Sequence, residues 1–488
     1  MLGKDLFDVV KSLTKGEKIT VRHQLSPKKL QFFDIYAEME QYSQSPLKAA
    51  FPDISSALLA TTKRQLLEQI LEILWQNTPN NGILSLQTEL GKVSVMLKKG
   101  LYAIALERVD EVIQAALGLE AMQEIITGLR IKRMILESAS LVDKYEERDK
   151  GLLAIALGAL EELVRVEAAY NKAAEIRFVP VERRRFEVEA MLDELGSLSS
   201  ASHGRSRIKL FRTQYVLRRI LGQHSDCYQS CVAILEILDS QPALMSDPAI
   251  RDDFFTNQQF VIAYQIESGD FKAARQSLAK FERTAKRWNG SIDADPSVFG
   301  RFSFAEIEML VKEKKWEGAK SKARKIALEV LNPRQKALLS YKPRWLWCVL
   351  YSLFATGEFK TVRRLAFELR ENKPIASRDQ LFYVDVGIYA LAASLAESDE
   401  YLGDLVNGIT KFYKSIGAEG EYENLMLAFF ANASKGSWKN SQLPLLDDLE
   451  SKLNVLFMNP LFWKHKVNFP VIEWIKSIQS KRSLRELL

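Results

Sequence analysis

The sequence predicts an all-α fold: a right-handed α-solenoid of helical hairpins with a period of about 43 residues, behind a small N-terminal helical head. Three observations carry this. A turn signature recurs along the chain, most cleanly at Gly269-Asp270-Phe271-Lys272-Ala273-Ala274. The residues three, seven and ten positions past each turn aromatic are apolar in every copy. Prolines (14) and glycines (23) are few for 488 residues, which favours long helices over a turn-rich all-β chain.

Residues 1–80 form the head. Leu6, Val9, Val10 and Leu13 make a short apolar stripe, and Thr14-x-x-Glu17 has the spacing of a capping box. Ser26-Pro27 places an N-cap before an N1 proline and opens a helix bearing Leu30, Phe33, Ile35, Tyr36 and Met39. Ser45-Pro46 repeats the device. A longer amphipathic run from about residue 56 ends in the linker-like cluster Asn77-Thr78-Pro79-Asn80-Asn81-Gly82.

The repeat follows over 81–440. Its joints are Gly100, Tyr102 and Ala105; Asp226, Tyr228 and Cys231; Gly269, Phe271 and Ala274; Lys314, Trp316 and Ala319; and Gly357, Phe359 and Val362. Glycine permits a left-handed cap that stops the first helix. The aromatic wedges between the two helices, and the small residue lets them cross closely. This is a TPR-like (tetratricopeptide-like) hairpin, with a period longer than the ~34 residues of the standard unit. Past the aromatic, the second helix carries Ala105, Val109 and Val112; Cys231, Leu235 and Leu238; Ala274, Leu278 and Phe281; Ala319, Ala323 and Ile326; and Val362, Ala366 and Leu369. That spacing is one face of a helix. Tyr145 and Phe186 fall where intermediate aromatics belong, but their flanks do not match, so that stretch is read as degenerate, with longer helices. Tyr401 opens a worn joint in which Leu405, Ile409 and Phe412 restore the face after a one-residue shift, and Gly436-Ser437-Trp438 is another. Residues 441–488 are expected to be capping helices, since a terminal repeat must cover an exposed apolar end.

Several of these segments resemble one family. They are Val9-Val10-Lys11-Ser12-Leu13-Thr14-Lys15-Gly16-Glu17-Lys18, Lys99-Gly100-Leu101-Tyr102, and the Gly-Asp-Phe and Gly-Glu-Phe joints at 269 and 357. The chain is similar to uncharacterised cytoplasmic tetratricopeptide-like helical-repeat proteins of the Bacteroidota. Ile19-Thr20-Val21 stands where that family has an aromatic and basic stretch. The resemblance implies a fold and brings no catalytic residues.

Composition narrows the function. Hydrophobic residues at 47% and charged residues at 27% are ordinary for a globular chain. A net charge of +6 permits an anionic partner without demanding one. Three cysteines are too few for a disulfide framework, no apolar run is long enough to span a bilayer, and the acid-containing start is unlike a signal peptide. A cytoplasmic location without membrane insertion is the expectation. No phosphate-cradling loop, dinucleotide fingerprint or nucleophile elbow is present, and four scattered histidines offer no triad. His224-x-x-Cys227-x-x-x-Cys231 has the residue types of a zinc site, but Cys231 fills a slot that holds alanine or valine in other copies, so it is read as a small hydrophobe. No enzyme activity, cofactor or metal is expected.

Two partner classes remain. The first is a protein or peptide bound along the first helices, where Arg212, Gln214, Tyr215, Gln258, Gln259, Tyr264, Trp345 and Tyr351 are candidates. The second is a nucleic acid, met by a helix-turn-helix-like head and the acid-free stretch with Arg205, Arg207, Lys209, Arg212, Arg218 and Arg219 around Phe211 and Tyr215. A solvated helix face explains the same charges, because those side chains point in different directions around a helix.

Overall fold

A computed structural model describes residues 2–13, 15–52, 54–77, 82–141, 146–176, 181–197, 202–292, 295–331, 346–370, 380–418, 420–459, 465 and 468–488. Among the described residues there are α-helices, short 3₁₀ and π segments and no strand, so the chain is all-α. It divides into two compact units, Met1–Leu157 and Gly158–Leu488.

In the first unit, α1 (Leu2–Ser12), α2 (Lys15–Gln24), α3 (Pro27–Glu38), α4 (Ser45–Ala50) and α5 (Ser56–Asn77) surround one core. Leu6, Val10, Phe32, Phe33, Tyr36, Leu66 and Ile70 in that core have no exposure. Pro27 opens α3 as its spacing foretells, although the Ser26 side chain makes no capping hydrogen bond. The second proline helix starts one residue earlier than expected, at Ser45. Thr14 and residues 78–81, on which the capping box and the linker depend, lie outside the described residues. In the same unit α6 (Ile83–Lys98), α7 (Tyr102–Gly118) and α8 (Met122–Ser138) pack against one another.

The second unit takes in the later part of α9 (Glu147–Glu175) and then α10 (Val181–Ser197), α11 (Gly204–Ile220), α12 (His224–Ser240), α13 (Pro248–Glu267), α14 (Phe271–Asn289), α15 (Pro296–Lys312) and α16 (Trp316–Leu331). It continues with α17 (Leu346–Ala355), α18 (Phe359–Arg370), α19 (Gln380–Ala396), α20 (Leu402–Ile416), α21 (Glu421–Asn432), α22 (Trp438–Leu456), α23 (Val471–Ser480) and α24 (Leu484–Leu487). From α10 to α21 each helix packs on the next. First helices also meet first helices: α13 with α15, α15 with α17, α17 with α19 and α19 with α21.

The joints are built as their residue types require. Gly100, Gly269 and Gly357 have φ of 70°, 80° and 79°, and the aromatic two residues on is the first helical residue in each case. Two backbone bonds close each cap. At the second of these joints Asp270 N–H donates to Gln265 O at 2.9 Å and Gly269 N–H to Ile266 O at 3.1 Å. These are the two bonds of a Schellman motif. Lys314 takes the same left-handed turn at φ 58° without being glycine, and Glu120 makes a further joint into α8 that the aromatic pattern did not reveal. Every slot expected three, seven and ten residues past the five joint aromatics is buried, from Ala105 at 0% to Leu278 at 6% exposure.

The joint expected at Tyr228 is placed differently. The turn before α12 is at Gly222, φ 72°, so the helix begins at His224 and Tyr228 sits one turn inside it. A displacement of four residues keeps the same helix face, which is why Cys231, Leu235 and Leu238 are nonetheless buried. Phe186 lies within α10 and is 76% exposed, so it wedges nothing. Tyr401 is 70% exposed, and the buried Leu402 opens α20 one residue later, as the shifted face requires, with Ile409 and Phe412 buried behind it. Tyr145 lies outside the described residues, and the Gly436-Ser437-Trp438 joint falls where a π segment, Ala433–Ser437, runs into α22.

Candidate ligand-binding surface

The basic residues of α11 are drawn to carboxylates on both sides. Arg205 pairs with Asp247 at 2.8 Å and Arg212 with Asp253 at 2.6 Å, both towards α13. Their separation of seven residues brings them onto one face. Lys209 reaches Glu167 at 3.5 Å and lies over the Tyr170 ring, its Nζ 4.3 Å from the centroid, while the Arg212 guanidinium approaches the same ring at 5.3 Å. Burial pushes the Asp253 carboxyl up, Arg212 opposes this, and Asp252 adds to it. Asp252 in turn holds the buried Arg301 of α15 at 2.6 Å. Charge therefore fastens α11 to α13 and α13 to α15.

The remaining candidates are less uniform. Arg218 donates to Ser230 Oγ at 3.2 Å. Arg219 is exposed and hydrogen-bonds the Tyr215 hydroxyl, while burial pushes the Tyr215 phenol up against that cation's influence. Arg207 is exposed and makes no ion pair among the described residues. Tyr215 packs on Phe260 with centroids 5.0 Å apart, and Tyr264 stacks on Tyr228 at 4.4 Å. Gln258 is buried at 2% exposure and donates to Ser277 O at 3.3 Å, and its buried Oε1 has no partner among the described residues. The six basic residues and Tyr215 thus gather along α11, while Gln258 and Tyr264 are engaged between helices. Trp345 lies outside the described residues.

Cysteine chemistry is muted. Cys227 and Cys231 are buried free thiols, and His224 beside them is exposed. Burial pushes Cys231 up to about 12, with Cys227 adding to it. Among the described residues no group of three or more His, Cys, Asp or Glu is arranged to hold a metal ion.

Sequence reading missed three features. One is an ion-pair series at the joints. Arg275, Lys320 and Arg363 each stand four residues past a joint aromatic, and each meets an acid at the next joint: Glu313, Glu358, and Glu397 with Asp399. A base at that fixed offset in three copies was a signal available beforehand. The second is a buried network: Asp385 on α19 lies 2.9 Å from His465 Nδ1 and accepts from Asn468 at 2.7 Å, under the stacked Tyr422 ring. Burial pushes the Asp385 carboxyl up, while His465 and Asn468 hold it down. The third is a small cavity of about 150 Å³ lined by Glu308, Trp316, Trp347 and Tyr351.

Helices packed in chain order and fastened by capped turns define an all-α protein. Comparison with protein-family models, with curated proteins and with solved structures finds no match. Among the described residues no helix is long and apolar enough to cross a membrane.

Proposed function

We propose that the chain is a non-catalytic scaffold or adaptor, a TPR-like right-handed solenoid that binds a protein or peptide along its first helices. One observation carries the reading: α13, α15, α17, α19 and α21 pack side by side, giving a continuous row of first helices. Such a row presents an extended strip of side chains to a segment laid across it. Tyr215, Arg207 and Arg219 on α11, which the Arg205–Asp247 and Arg212–Asp253 pairs hold to α13, add side chains with the chemistry of interface anchors.

The nucleic-acid alternative is less well supported. Gripping phosphate requires cations free to replace its counterions. Arg205, Lys209 and Arg212 are instead held by Asp247, Glu167 and Asp253. Capture on the tagged protein from its native cell extract, washed at low and high salt, tests both. The scaffold reading expects one protein retained at near-equal stoichiometry through high salt. Nucleic acid held at low salt and released at high salt would overturn it in favour of the alternative.

A further inference from the structure

The cavity around Glu308 combines features that the packing of helices does not require. Glu308 is on α15, Trp347, Cys348 and Tyr351 are on α17, and Trp316 opens α16. As a residue Glu308 is half-buried, yet its Oε2 is shut off from solvent and has no hydrogen-bond partner among the described residues. An ionised carboxylate oxygen so placed normally has a donor, because leaving it without one is strongly unfavourable. Trp347 and Tyr351 meet at right angles, interplanar angle 84° and centroids 5.9 Å apart, so their rings form two walls of a corner. Trp316 supplies a third.

We propose that this cavity is a binding site for an alkylammonium group, with Glu308 as its anionic acceptor and Trp316, Trp347 and Tyr351 as its aromatic walls. An ammonium offers the N–H donors that Oε2 lacks, and its charge is attracted to ring faces. A hard metal ion suits the site poorly, since it needs several oxygen ligands, and no group of three or more such acidic, histidine or cysteine ligands gathers among the described residues. Lys312, four residues past Glu308 on the same helix, also lines the cavity. It is exposed and forms no ion pair with Glu308, so it acts as a repulsive charge at the site and not as its occupant. The volume of about 150 Å³ accommodates a short aliphatic ammonium, not a drug-sized molecule. The site stands apart from the scaffold reading, and failure of the capture experiment would leave it intact.

The ammonium can come from a free amine or from a lysine side chain on a polypeptide. Calorimetric titration of the full chain with n-butylammonium, with n-butanol, and with an N-acetyl-Gly-Lys-Gly-amide peptide covers both. Saturable binding of n-butylammonium, weakened at least tenfold by Glu308→Gln and strengthened by Lys312→Gln, is expected. Tighter binding of the peptide assigns the source to a polypeptide, and tighter binding of the free amine to a small molecule. Equal binding of butanol and butylammonium, an unchanged affinity in Glu308→Gln, or no saturable amine binding would overturn the proposal. Because Lys312→Gln changes an exposed side chain, its gain in affinity is readable whether or not the Glu308 variant folds as well.

Discussion

Replacing Glu308 with glutamine is expected to stabilise the Gly158–Leu488 unit above neutral pH and to change little near pH 4. Burial raises the Glu308 carboxyl from its ordinary 4.5 to about 7, Glu267 adds to the rise, and Lys312 opposes it. A carboxyl whose pKa is raised by folding binds its proton more tightly in the folded state. Its contribution to stability therefore falls as pH climbs from the unfolded value through about 7, and the full penalty is present above that. At about 1.4 kcal/mol for each step of pKa, the ionised form costs about 3 kcal/mol. Glutamine removes the charge but leaves an amide without partners, which costs about 1 kcal/mol, so the net gain at pH 8 is about 2 kcal/mol. For a body of roughly 330 residues, with an unfolding entropy near 2 cal/mol/K per residue, this raises Tm by about 3 °C. Thermal unfolding followed by circular dichroism at pH 8 and pH 4 reads it. An equal Tm at pH 8, or a gain of the same size at both pH values, would refute the assignment of an unpaired buried charge.

Three other outcomes follow from the packing. Gly387→Ala should destabilise the unit by about 2 kcal/mol in denaturant unfolding, because a Cβ there collides with the Tyr413 ring and hydroxyl. A double-mutant cycle of Arg363→Ala with Asp399→Ala should give a coupling of about 0.5–1 kcal/mol, reduced by salt. The Asp399 carboxyl is held below the usual range by the Tyr401 backbone N–H, then Ser394 and Arg363, so that stabilisation is present above the unfolded value of 3.8 and is lost as pH falls below it. None of Cys227, Cys231 and Cys348 should react promptly with a thiol reagent at neutral pH in the folded protein, and all three should react in denaturant. Prompt labelling of any of the three would contradict their burial.

What was legible in the sequence was what repeats on one helix face. Apolar slots at three, seven and ten residues past an aromatic can all be served only by a helix, and the glycine at 100, 269 and 357 has one conformational use there. The joint at Tyr228 was misplaced by one turn because that shift leaves the periodic pattern unchanged, whereas the left-handed turn at Gly222 fixes it. At Tyr401 the one-residue shift that restores Leu405, Ile409 and Phe412 points to Leu402, the buried residue that opens α20. The candidate surface was less legible still. Runs of arginine in α11 carry no mark of the aspartates more than forty residues away that hold Arg205 and Arg212. Glu308 and Asp385 are unremarkable in their own helices, and their setting comes from helices distant in sequence.

At three successive joints the cation four residues past the aromatic ties one hairpin to the next. Arg275, Lys320 and Arg363 each offer a positive charge to the acid of the following joint, so consecutive hairpins are stitched along one seam. In α20 the corresponding position is Val406, which is buried. The charged seam thus belongs to this stretch of joints: Leu106 and Val232 stand four residues past Tyr102 and Tyr228, and at α20 the seam ends in an apolar side chain.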